Sequence, residues 1–151
     1  MWSGCGVERW TVKTLRDRPR LLSVRQTTVA TLSTLHAPSE LPPTRLPIEH
    51  RVYTLTARVT LVRQEADEDF HLLLRDGAAH MIAETPAPTC TTSATPLRRK
   101  QMARAWAASR LRSKASLTGV LFFDFNHGQA GVAPNAVELH PVLSFRCLTP
   151  P

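Results

Sequence analysis

The sequence predicts one mainly β domain, in which five strands curve into a barrel and a single helix lies between the third and fourth strands. Three features lead there. Two-residue alternation of apolar and polar residues marks residues 51–63, Asp76-Gly77 sits between two strand-like runs as a hairpin turn, and one helical stretch follows Pro96. A chain of 151 residues is long enough for one domain with a sizeable core. With 42% hydrophobic and 21% charged residues it reads as globular and not as disordered.

The segment before residue 49 is read as an N-terminal unit, residues 1–48, packed on a barrel of residues 49–151. Within it, Arg9–Leu15 and Leu21–Arg25 read as short strands broken by Arg16-Asp17-Arg18-Pro19. Thr27–Leu35 reads as a short helix, with Val29, Leu32 and Leu35 at helical spacing. Residues 37–47 hold Pro38, Pro42, Pro43 and Pro47 and form an extended connector.

The first core strand, 51–63, puts Leu55, Ala57, Val59 and Leu61 on one face and Thr54, Thr56, Arg58 and Thr60 on the other. Its length predicts a bend that lets it serve both sides of a barrel. An acidic turn, Glu65-Ala66-Asp67-Glu68, leads into strand 69–75, with Phe70, Leu72 and Leu74 inward and Asp69 and His71 outward. Strand 79–85 stops at Pro86 and Pro88. Thr95 suits an N-cap and Pro96 a first helical turn. Helix 97–111 then carries Met102, Trp106 and Leu111 on its apolar stripe, with Arg98, Arg99, Arg104 and Arg110 solvated. The fourth and fifth strands are 116–125 and 136–147, joined by the turn-rich loop 126–135. This order of elements is that of an OB-like, five-stranded antiparallel barrel; an open α+β sheet is the alternative. All strand pairs are expected antiparallel, and a parallel pair is taken to exclude the OB reading.

The formal charge is +7 and the pI about 10.4, which favours phosphate-rich partners. Against nucleic acid stand the acidic turn at 65–69 and an aromatic content of only 6%. Lys13, Lys100 and Lys114 are the only lysines, so the charge follows an arginine bias. No apolar run approaches the roughly 20 residues of a membrane-spanning helix. With no apolar leader after Met1 the chain reads as cytoplasmic as written, and as exported if its true start lies upstream. A monomer is expected. Cys5, Cys90 and Cys147 form no paired zinc motif, and no hydrolase, metalloprotease or phosphate-loop motif occurs, so no metal and no cofactor are expected from motifs.

The polar residues that could carry chemistry gather near two loops. Asp69 and His71 lie by the first; Asp124, His127, Gln129, Asn135, Glu138 and His140 surround the second. Glu138 and His140 are two apart and share a side of their strand. His71, His127, His140, Glu84 and Glu138 could build a metal site or an acid–base pair. They could equally brace the loop, with Gly128 and Gly131 at positive φ and Asp124, Asn135 and Glu138 holding backbone amides. His36, His50 and His80 are read as surface residues, Tyr53 and Trp10 as exposed, and Phe70, Phe122, Phe123 and Phe125 as core. The leading function is a non-enzymatic OB-like binding or structural module. The alternative is a metal-assisted hydrolase or nuclease using His71, His127, Glu138 and His140.

Several runs resemble a family of small, largely uncharacterised bacterial proteins: Cys5-Gly6-Val7-Glu8-Arg9-Trp10-Thr11-Val12-Lys13-Thr14, Asp69–Leu74, Met81–Pro86, Phe122–Phe125 and above all His127–Val142, which begins His-Gly-Gln-Ala-Gly-Val-Ala-Pro-Asn. The resemblance covers most of the chain and brings no catalytic residues with it. It implies export, because similar proteins carry a signal ahead of the Cys5 segment. Since Cys90 falls just past the third strand, it also implies a Cys5–Cys90 disulfide in an oxidising compartment.

Overall fold

The computed structural model describes residues 5–6, 8–66, 68–110 and 112–149; Asp67 of the acidic turn and Leu111 of the helical stripe lie outside them. The strands are β1 (Val24–Gln26), β2 (Val52–Gln64), β3 (Phe70–Asp76), β4 (Ala79–Thr85), β5 (Lys114–Phe123) and β6 (Val137–Thr149). They form one sheet in the order β1-β2-β3-β4-β6-β5, and β5 pairs again with β2, so β2 to β6 close a barrel. The helices are α1 (Trp10–Lys13), α2 (Val29–Ser33) and α3 (Pro96–Ala108), the last between the third and fourth barrel strands.

The barrel is mixed, which corrects the all-antiparallel expectation. β4 and β6 run parallel, with Ile82 opposite Glu138 and Ala83 opposite Leu139. The reason is parity. Strand direction cannot alternate all the way round a closed ring with an odd number of members, so five strands require one parallel neighbour. A parallel pair therefore accompanies closure and does not exclude it.

β2 bends at a bulge. Val59 faces Leu74 but Leu61 faces Leu73, so the side-chain phase reverses near Thr60. Leu55, Ala57 and Val59 point into the core as expected, while beyond the bulge it is Val62 that packs on the core. Tyr53 joins them and is buried, against the expectation of exposure. Leu72, Leu74, Met81, Leu117, Leu121, Phe123, Val137 and Leu139 complete the interior, with Val29 and Leu32 of α2. A second cluster lies outside the wall, where Leu15, Val52, Ala94, Met102, Val120 and Leu143 meet. Helix α3 serves both clusters, turning Ala105 to the first and Met102 to the second.

The N-terminal unit departs most from expectation. Arg9–Leu15 is a helical turn and its exit, not a strand, because Val12 and Leu15 are three apart and must bury on one side. Of 21–25 only the stretch from Val24 is extended, pairing parallel with Val52–Thr54. Helix α2 matches its expected place, and the Thr28 hydroxyl accepts from Thr31 N at 3.1 Å. Thr95 stands at the N-cap of α3 without a side-chain capping bond. β5 ends at Phe123, so Phe125 lies off the sheet and is 39% exposed instead of core.

Candidate site: a polar cleft over four strands

The strand register assembles the site. Arg63 of β2 lies opposite His71 of β3, which lies opposite Glu84 of β4. The parallel β4–β6 pair then carries Glu138 and His140 alongside Glu84. All these side chains take the polar phase of their strands, which predicts solvent. Instead Asp69, His71, Glu138 and His140 are all buried. The cover comes from elsewhere in the chain: the loop 124–136 folds over β3 and β4, and the segment carrying Lys13 lies along one side.

Gly131 makes the loop's approach close enough. Its φ is +82°, and a Cβ there would stand 2.4 Å from Leu73 Cγ. The loop's backbone then receives the strand histidines. His71 Nε2 donates to the Ala130 carbonyl at 2.9 Å, and His80 Nδ1 lies 3.1 Å from the Gly131 carbonyl. His80 therefore has a partner, as does His50, whose Nδ1 is 3.2 Å from Pro47 O; His36 is exposed.

Glu84 is the centre of the cluster. Its Oε1 is 3.2 Å from His71 Nδ1 and its Oε2 is 3.6 Å from His140 Nδ1. His140 Nδ1 also lies 3.1 Å from Glu138 Oε1. Burial works against ionisation of Glu84, yet His140, His71 and Lys13 outweigh it and hold the carboxyl below its usual range. Burial likewise opposes the charged form of His71, but the Glu84 hydrogen bond, the Ala130 carbonyl and the charges of Glu84 and Glu65 raise its pKa. With both ring nitrogens facing acceptors, His71 is built to be an imidazolium. Glu138 goes the other way: burial, Glu84 and Asp124 push it well above the carboxylate range. Burial pushes His140 down to about 4, so its ring is neutral at pH 7.

Above these residues opens a cleft of about 480 Å³, lined among others by Lys13, Arg63, His71, Glu84, His127 and Glu138. His127 stays at this exposed rim, where its backbone N–H donates to the Gln129 side chain at 2.9 Å. Asp69 accepts from Ala87 N at 2.6 Å. Asp124 accepts from Phe125 N, and Asn135 bridges Leu32 O and Leu35 O while accepting from Val137 N. Those two residues brace the loop. Glu138 was expected to hold a backbone amide; its side-chain hydrogen bonds are to His140 and Asp124 instead.

The Arg9–Glu49 clamp, and through it the place of Lys13, escaped sequence reasoning. The Arg9 guanidinium pairs with both oxygens of Glu49, and it also donates to Pro42 O, Thr44 O and Phe123 O. Glu49 in turn accepts from Leu46 N and Phe123 N. Arg9 stands in the left-handed region at φ 53° and lies 4.8 Å over the Phe122 ring. This clamp, with the Cys5–Cys90 disulfide (Cα–Cα 5.6 Å), fixes the segment that brings Lys13 to the cleft. The only sequence signal was the position of Arg9 and Lys13 in the Cys5–Thr14 run.

No protein-family model matches this chain, and no curated protein matches it. Among solved structures it is similar to a Leishmania major Friedlin protein assigned as an aspartyl-tRNA synthetase, with a TM-score of 0.57 and 16% identity, over 84% of this chain and 21% of that one. The fold is an OB-like barrel. Entamoeba histolytica aspartyl-tRNA synthetase (TM-score 0.48, 19% identity, 89% of this chain and 27% of that one) and asparaginyl-tRNA synthetase (0.48, 14%, 86% and 25%) also match. This OB-like chain thus spans between a fifth and a third of the length of those proteins. Among its described residues, no helix is long and apolar enough to cross a membrane.

Proposed function

We propose that this chain is a non-enzymatic OB-like binding module whose cleft holds a divalent cation through Glu84, Glu138 and His140. One observation carries this reading: the three residues each offer a donor atom, all within 4.8 Å of one another, with Glu84 and Glu138 lining the cleft. Two carboxylates and one imidazole are a donor set for zinc or manganese more than for calcium. His71 supports the set from behind by holding Glu84, as an outer partner orients a ligand. Burial of Glu138 and His140 favours a held ion over an open catalytic position. The disulfide supports an oxidising compartment.

The test is calorimetric titration of chelator-treated protein with zinc, manganese and calcium. Zinc or manganese is expected to bind with 1:1 stoichiometry and to raise the melting temperature. Glu138→Gln and His140→Gln should each weaken binding about 10–100-fold while the protein stays folded. Wild-type protein that binds no metal ends the proposal. Lys13 and Arg63 at the rim favour a second reading, an anion seated over the ion and hydrolysed there. Turnover of a phosphodiester such as bis-p-nitrophenyl phosphate by the loaded protein, lost in Glu138→Gln, would select that hydrolase over the binding module.

A further inference from the structure

A second polar surface spans β2, β3, β5 and β6, farther along β3 and β6 than the cleft residues His71 and Glu138. Arg58 of β2 faces Arg75 of β3 on one side and Lys114 of β5 on the other. Three exposed cations therefore stand in one row across three neighbouring strands, spanning about 10 Å at ordinary strand spacing. Arg146 adds a fourth two residues along, opposite Ser116, which itself faces Thr56. Like charges directly opposite one another destabilise a sheet. Among the described residues no ion pair links any of the four to a carboxylate.

The row is recessed. A depression of about 320 Å³ is lined by Thr56, Arg58, Arg75, Asp76, Gly77 and Lys114. An adjoining one of about 410 Å³ shares Thr56 and Asp76 with it and adds Thr28, Ser116 and Arg146. Cations interleaved with hydroxyls along a groove match an acceptor-rich anionic chain. Asp76 is the one carboxylate lining it and sits at the hairpin end. A groove admits a flexible strand, whereas a bilayer surface needs a protruding patch. No aromatic side chain lines either depression, so contacts would go to phosphates and not to bases.

We infer that this groove binds the phosphodiester backbone of a nucleic-acid strand, without sequence preference, through Arg58, Arg75, Lys114 and Arg146. The site is independent of the cleft and of any metal there. It also lies beyond the part of the outer face of β3 and β4 that the loop 124–136 covers.

The probe is a fluorescein-labelled 12-mer of deoxythymidine, followed by anisotropy across a salt series. Wild-type protein should bind at low salt and weaken steeply as salt rises. Arg58→Gln/Arg75→Gln/Lys114→Gln should lose at least tenfold in affinity, and its log–log salt slope should fall by about 2, from roughly 0.7 per lost phosphate contact. A control with the same charge change on α3, Arg99→Gln/Lys100→Gln/Arg104→Gln, should lose less than threefold. Melting curves should show the groove variant as stable as wild type. If that variant does not fold, the single changes Arg75→Gln and Lys114→Gln must each weaken binding. Equal loss in both triple variants, no loss in the groove variant, no binding by wild type, or binding to anionic phospholipid vesicles in place of the oligonucleotide would each overturn the inference.

Discussion

Arg9 and Glu49 show how much one residue pair can hold in place. Both are buried, and between them they satisfy three carbonyls and two amides as well as each other. Removing one partner of such a pair leaves a buried charge alone, which costs about 3–5 kcal/mol. Arg9→Met is therefore expected to lower unfolding free energy by that amount in urea titration, and a loss under 1 kcal/mol would show the clamp to be dispensable. His140 makes a separate prediction for the chelator-treated protein. Its pKa falls from 6.5 to about 4 on folding, so between those values the unfolded chain takes up a proton that the folded chain refuses. That contribution is intact above about pH 6.5 and is lost as pH falls, at about 1.4 kcal/mol per unit. His71, with its raised pKa, acts with the opposite sign and loses its contribution above about pH 6.5. Stability curves from pH 7 to 4 should be shallower for His140→Gln than for wild type; identical curves would contradict the burial assigned to His140. The residue types of the site were legible from the sequence, since His71, Glu138 and His140 stand in the polar phase of their strands. Their burial was not, because strand phase says which face a side chain takes and nothing about what later covers that face.

At the scale of elements, the loop 124–136 is what converts an open sheet face into a floor with a cleft above it. Its fit depends on Gly131, where positive φ and contact with Leu73 both exclude a side chain. Gly131→Ala should cost about 1–3 kcal/mol, and it should free His71 and His80 from the loop carbonyls. Imidazole NMR shifts would report this; unchanged shifts and stability would show that the loop accommodates a methyl group. The core strands were readable to within two residues and α3 to within three, because alternation, Asp76-Gly77 and Thr95-Pro96 are all local signals. The segment from Arg9 to Leu15 was misread as a strand because four helical residues supply less than two turns of periodicity. The bulge near Thr60 was equally hidden, since the sequence alternates smoothly through it while the pairing does not.

For the whole molecule, the disulfide joins residues 85 positions apart and ties the N-terminal segment to the loop after β4. In the chain-entropy model, closing a loop of that length stabilises by about 4 kcal/mol. Reduction, or Cys5→Ser/Cys90→Ser, should lower stability on that scale; melting curves that coincide with and without reductant would refute it. Ring parity carries a consequence of another kind. β6 is the partner of both β4 and β5, so it is the keystone of the ring and also the last of the described elements in chain order. A growing chain therefore carries β2 to β5 as an unclosed sheet, with two unpaired edges, until the residues through 149 have been made. Such edges recruit other strands, so the protein is most vulnerable to aggregation before β6 has emerged, and its folding waits on long-range pairing in the slow, millisecond-to-second regime.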